Sequence, residues 1–227
     1  MPEGTHAQTV LTSRYITPGY DGNATNRWPS LAALTSVAPV TDLDLVPPTP
    51  ELMAQVLEWR NRPDVTQWLM RTIVDPVRYT QAWLDSAADP LDHSSIVLVD
   101  GRAVATGSVE IRDGSGQFGH EPEFERCEGL LGYLVDPAYA GRGIATAVTT
   151  ALLELAFGEL GLRRVTAGCF ADNTASWRVM EKAGMRREGH TVRDAWHANL
   201  GWVDGYTYAI LTDEWRGTGP ASQWTSK

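Results

Sequence analysis

The chain has 227 residues, 43% hydrophobic and 21% charged, with a net charge of −9 from 19 Lys+Arg and 28 Asp+Glu. That length buries a real core, and the acidic balance excludes broad nucleic-acid binding of the kind that needs a basic face. No apolar run approaches the ~20 residues of a membrane span, and the opening "MPEGTHAQTV" has neither the basic start nor the apolar core of a secretory signal.

A phosphate ligand stays open, because backbone amides hold an anion without a basic surface. An acidic protein also attracts a cationic amine. Cys127 and Cys169 lie far apart, without metal-type spacing, and read as reduced core or strand residues. A cytoplasmic location follows from that. His6, His93, His120, His190 and His197 form no metal pair at helix or strand spacing. His197 reads as a surface strand residue.

Residues 1–40 carry Gly, Asn, Pro and Ser without sustained periodicity, as in "TPGYDGNATNRWPS". They read as an irregular arm. Tyr15, Ile16, Tyr20 and Trp28 are available to pack on the main domain or on a second subunit, so a homodimer is one expectation. The main domain is expected over 41–216, with a tail over 217–227.

From Thr41, "TDLDLV" alternates as a half-buried strand does. "PPTPELMAQVLEWRNRPDV" gives Pro and Thr and then a helix with Leu52, Val56 and Trp59 on one face. "DPVRYTQAWLDSAAD" predicts a second helix, with Val77, Trp83 and Leu84 for packing. Trp59, Trp68 and Trp83 are assigned to these two helices. "SSIVLVDGRAVATGSVEIRD" is a hairpin turning at Asp100–Gly101. The strand "CEGLLGYLV" ends at Asp136–Pro137, and a Gly-rich loop leads into a helix. On that helix Ile144, Val148, Ala151, Leu152 and Leu155 form one stripe, closed by Gly158 and Gly161. The strand "RRVTAGCF", a helix over "ADNTASWRVMEKAGM" stopped at Gly184, and strands around "REGHTVRDAW" and "DGYTYAILTDEW" follow. This order fits an α/β (α+β) domain, a mixed sheet with helices on both faces.

Small residues where a strand hands over to a helix suit an anion. The first helical turn has unpaired N–H groups and the positive end of the dipole, and glycines let a phosphate approach. Three segments, "GYLVDPAYAGRGIATAV", "ADNTASWRVMEKAGMRREG" and "GYTYAILTDEW", together resemble the GNAT superfamily of acyl-CoA-dependent N-acetyltransferases, in its RimJ/RimL-like branch. The resemblance covers about Thr41 to Trp215. The family loop Q/R-x-x-G-x-G/A falls on Ala140 to Ala145, departing at Ala140. The resemblance implies a mostly antiparallel central sheet. It places the pyrophosphate of acetyl-CoA on Gly141, Arg142, Gly143, Ile144, Ala145 and Thr146, and pantetheine along the backbone of Leu134 and Val135. Asn173 matches the family Asn that meets the pantetheine arm, and it reads equally as a helix cap.

The common family acid, a Tyr on the last helix, is replaced by Met180. The RimL-like pattern instead carries a Ser three residues after the Asn, here Ser176. It is either the partner of the departing sulfur or an ordinary first-turn residue. Glu128 is the candidate base, with Glu110 second, and each reads also as a solvated carboxylate. The expected reaction transfers acetyl from acetyl-CoA to a primary amine of a small molecule or a protein N-terminus by direct attack in a ternary complex. No metal, membrane or nucleic acid is expected. A non-catalytic acyl-CoA-binding module is the alternative. An unrelated nucleotide-phosphate binder is disfavoured, since G-x-x-x-x-G-K-[ST] is absent.

Overall fold

A computed structural model describes residues 43–217. The expected N-terminal arm, with Tyr15, Ile16, Tyr20, Trp28 and His6, lies outside the described residues, as does the tail beyond Gly217.

Among the described residues seven strands form one sheet: β1 (Asp44–Val46), β2 (Asp92–Val99), β3 (Arg102–Arg112), β4 (Glu128–Val135), β5 (Arg164–Phe170), β6 (Arg186–His197) and β7 (Gly201–Leu211). Their spatial order is β1-β2-β3-β4-β5-β7-β6. Only β4 and β5 pair in parallel, so the sheet is mixed and mostly antiparallel. Asp100 and Gly101 turn the β2–β3 hairpin with φ of 49° and 74°, the left-handed pair that a tight hairpin needs.

On one face lie α1 (Pro50–Arg60), the short α2 (Pro63–Thr66) and α3 (Pro76–Ala87). Thr49 caps α1 and Asp75 caps α3, each accepting a first-turn N–H. Met53, Val56 and Trp59 pack against Ile96 and Ala103 of the sheet. The Trp59 indole N–H donates to the Ala103 carbonyl, 3.3 Å away. Contrary to expectation, Val77 is 77% exposed. The contact stripe of α3 is Tyr79, Trp83 and the buried Ser86, spaced i, i+4, i+7, and Val77 lies off it. Trp68 belongs to neither long helix, as it follows α2 in the connection to α3.

On the other face lie α4 (Ile144–Glu154) and α5 (Thr174–Lys182). All five residues of the α4 stripe are buried. Ile144, Val148, Ala151 and Leu152 join Leu131, Val165, Met180 and Tyr208 in the larger core. Beyond Glu154 the helix widens into one π turn, Leu155–Glu159, before the chain reverses at Gly161. "TDEW" forms a short helix, α6 (Thr212–Trp215), rather than extending β7.

Candidate active site

β4 pairs with β3 along its whole length, but with β5 only from Glu128 to Leu130. Beyond Leu130 the edges of β4 and β5 that face each other have no ladder between them, and the strands part. Leu134 and Val135 lie on that free edge of β4. An unpaired strand edge offers main-chain donors and acceptors to an extended ligand. The gap also joins the two faces of the sheet.

Asp136 is buried and caps the turn after β4 by accepting the Ala138 N–H. The loop then runs through Gly141 and Gly143, with φ of 76° and 81°. A Cβ at either position would meet no atom within 4 Å, so the requirement for glycine is conformational. Gly143 is the N-cap residue of α4, and among the described residues no side chain caps that helix. The N–H groups of Ile144, Ala145 and Thr146 therefore face outward from the helix start, beyond any i−4 partner. Arg142 stacks over the Tyr139 ring at 5.0 Å and donates to the Ala138 carbonyl. An uncapped, glycine-led helix start at the open end of β4 and β5 suits a phosphate.

Asn173 caps α5, its Oδ1 accepting the Ser176 N–H at 3.2 Å. That cap sets Ser176 in the first turn, where Tyr133 of β4 reaches it. Tyr133 Oη lies 2.8 Å from the Ser176 carbonyl oxygen and 3.0 Å from its Oγ. Burial pushes the Tyr133 hydroxyl up to about 12, and the Cys169 thiol beside Ser176 up to about 11. Both stay protonated at neutral pH. Sequence reasoning missed Tyr133, although it stands in the "GYLV" stretch. The only signal was its place at the free end of β4.

Met180 is fully buried. Glu128 is brought to a different place from Ser176. It begins β4, five residues from Tyr133 and about 17 Å along the strand. Arg163 holds it at 2.6 Å and Arg164 at 3.5 Å. The position does not favour the expected base. Arg164 also binds Glu188, which meets Arg186, which meets Glu214, so Glu128 closes one end of a charge ladder across the sheet. Glu110 is likewise engaged, at 2.9 Å from Arg112.

His197 departs most from expectation: it is 5% exposed. Its ring packs between Trp68, at 5.3 Å, and Phe170, at 5.4 Å. Phe170 ends β5, and its carbonyl accepts the Asn173 N–H, which ties this aromatic cluster to the Ser176 turn. The chain just beyond Trp68 is tied to α1. Buried Arg60 donates to the carbonyls of Arg71 and Thr72, and Asn61 exchanges two bonds with the Val74 backbone. Among the described residues, no group of three metal-ligating side chains converges, and no helix is long and apolar enough to cross a membrane.

The family profile described as an acetyltransferase (GNAT) domain matches residues 42–186. The chain belongs to the GNAT family. The uncharacterized N-acetyltransferase YnaD of Bacillus subtilis is 42% identical over 85 residues, which is 37% of this chain and 49% of the relative. The chain spans about half the length of the first curated relatives that it matches. A GNAT-family acetyltransferase from Bacillus anthracis superposes with a TM-score of 0.61 at 26% identity, over 75% of this chain and 95% of the other. RimJ of Mycobacterium smegmatis, solved in complex with CoA-disulfide, superposes with a TM-score of 0.62 at 23% identity, over 76% and 83%. These GNAT neighbours share the mixed, mostly antiparallel sheet with helices on both faces.

Proposed function

We propose that the protein transfers an acetyl group from acetyl-CoA to a primary amine by direct attack within a ternary complex. The observation that carries this reading is the coincidence of a free β4 edge with an uncapped, glycine-led start of α4. The edge suits a pantetheine arm lying along Leu134 and Val135. The first-turn amides from Gly141 to Thr146 suit the pyrophosphate. A thioester in the gap then lies beside Ser176 on one face and open to an amine from the other.

The neutral amine attacks the thioester carbonyl, and the tetrahedral intermediate expels the sulfur, which gains from a proton. Ser176 Oγ–H is the donor assigned to that sulfur. Tyr133 orients it. The single phenolic proton goes to the Ser176 carbonyl oxygen, so the Ser176 hydrogen rests on the Tyr133 oxygen and turns to the sulfur when the thioester is bound. Tyr133 stays protonated at neutral pH and acts as a hydrogen-bond donor. Asn173 fixes the turn and supports the pantetheine role. No carboxylate is assigned as base, since Glu128 and Glu110 are each held by arginines. Proximity of amine and thioester supplies much of the rate. The acceptor is a small-molecule amine or a protein N-terminus, in keeping with a RimJ-like placement within the family.

Release of the CoA thiol from acetyl-CoA, followed with a thiol reagent over a panel of amines and N-terminal peptides, tests the reading. Amine-dependent release is expected. Saturable acetyl-CoA binding without release on any amine would instead favour a binding module.

A further inference from the structure

The candidate acceptor face contains a polar group that the reaction above does not use. His197 Nδ1 accepts two backbone N–H groups of its own hairpin turn, Asn199 at 3.1 Å and Leu200 at 3.3 Å. A nitrogen that accepts twice carries no proton, so the hydrogen of the neutral ring sits on Nε2. Nε2 is buried and has no hydrogen-bond partner among the described residues. The two ring nitrogens diverge, so Nε2 turns away from the Asn199–Leu200 turn that holds Nδ1, in a ring packed against Trp68 and Phe170. A contact between an N–H and a ring face is weak and does not replace a hydrogen bond. A buried donor left unpaired is rare enough to need a reason.

Its surroundings supply one. Strand register puts His197, Val203, Gly205, Phe170 and Gly168 on the same face of the sheet, with Gly168 exposed. Ser176, Cys169 and Tyr133 belong to the other face, across the gap between β4 and β5. Trp68, which packs on this ring, is half-buried, and side chains at binding surfaces commonly change rotamer when a ligand arrives.

We propose that His197 Nε2–H recognises the acceptor, and that the acceptor amine carries a carbonyl or hydroxyl oxygen that takes this hydrogen bond. This rests on the acetyltransferase reading. Peptide N-termini and amino acid amides offer such a carbonyl, and amino sugars offer such a hydroxyl. Protonated polyamines and alkylamines offer only donors, leave Nε2–H unpaired, and are disfavoured.

Two substitutions separate recognition from packing. His197→Asn keeps an oxygen where Nδ1 accepts from the turn, but has no donor at the Nε2 position. His197→Gln keeps a donor near Nε2 and loses the turn acceptor. The experiment measures thiol release for wild type and both variants with glycinamide, glucosamine, cyclohexylamine and spermidine, together with acetyl-CoA affinity by calorimetry. Comparing variant with wild type for each probe cancels the different basicities of the amines. The expected result is a loss of at least ~10-fold in kcat/KM for His197→Asn on glycinamide or glucosamine. Cyclohexylamine and spermidine are expected to change by less than ~3-fold, acetyl-CoA affinity to be unchanged, and His197→Gln to be partly spared. Glycinamide and glucosamine tell a carbonyl partner from a hydroxyl partner.

Equal losses on all four probes would overturn the proposal, as would a greater loss in His197→Gln than in His197→Asn. A wild type that binds acetyl-CoA but acetylates neither oxygen-bearing probe overturns it too. Absence of acetyl-CoA binding by the wild type is a distinct result, and it removes the acetyltransferase reading itself.

Discussion

Tyr133 on β4 and Ser176 on α5 meet at 2.8 Å and 3.0 Å although 43 residues separate them in the chain. Tyr133 lies beyond Leu130, where the pairing of β4 with β5 has ended. Removing the Ser176 hydroxyl is expected to lower kcat by ~10–100-fold while acetyl-CoA affinity stays within ~3-fold. Tyr133→Phe keeps the ring packing and is expected to cost less, ~3–10-fold in kcat. Steady-state thiol release reads both. A Ser176→Ala enzyme with wild-type kcat would remove Ser176 from the chemistry.

Burial of Tyr133 also sets an alkaline limit. Its hydroxyl is raised from about 10 in the unfolded chain to about 12. The unfolded chain therefore ionises first. Stability is intact below pH 10 and is lost as pH rises toward 12. Urea titrations at pH 9 and pH 11.5 should show Tyr133→Phe losing less over that interval than wild type, by roughly 1–2 kcal/mol. Identical losses would mean that solvent reaches this hydroxyl.

At the acid end, Glu188 acts with the opposite sign. Arg164 and Arg186 hold its carboxyl below the ordinary range. The stabilisation is present above pH ~4.5 and disappears as pH falls through the lowered value. The group is largely solvated, so the effect is no more than about 1 kcal/mol. Chemical denaturation of Glu188→Gln should show a shallower loss between pH 7 and pH 3.5 than wild type does.

Arg60 offers a test of the acceptor side. Its guanidinium ties Arg71 and Thr72 to α1 and stacks on Tyr79 at 5.4 Å. Arg60→Met leaves those carbonyls without that donor and frees the segment that carries Trp68. The expected result is a several-fold rise in acceptor KM, with acetyl-CoA affinity unchanged and stability lowered by about 2 kcal/mol. Equal losses for both substrates would show that the segment does not serve the acceptor.

Much of this arrangement is legible in the sequence because it is local. The Asp100–Gly101 turn, the stripe on α4 and the glycines before it are short-range patterns, and each appears where expected. The gap between β4 and β5 is a matter of backbone pairing that no side chain announces. The Tyr133–Ser176 contact depends on the packing of two distant elements. The inward face of His197 is hidden in the sequence because β6 carries a bulge between Arg187 and Gly189 and another between Thr191 and Ala195. The first shifts the alternation by one residue, so a period-two reading loses the inward face. Glu128 looks like a lone carboxylate in the sequence, and only the fold brings Arg163 and Arg164 onto it.

The loop before α4 carries the central claim, and calorimetry of acetyl-CoA binding to wild type and Gly143→Glu tests it most directly. Wild type should bind saturably with one site per chain. Gly143→Glu places a carboxylate and a strained φ where the pyrophosphate is proposed to lie, and should lose at least ~100-fold in affinity. Gly143→Ala serves as the control for backbone strain alone and should cost about 1–2 kcal/mol in stability. Wild type that fails to bind, or Gly143→Glu that binds as wild type does, would contradict the account.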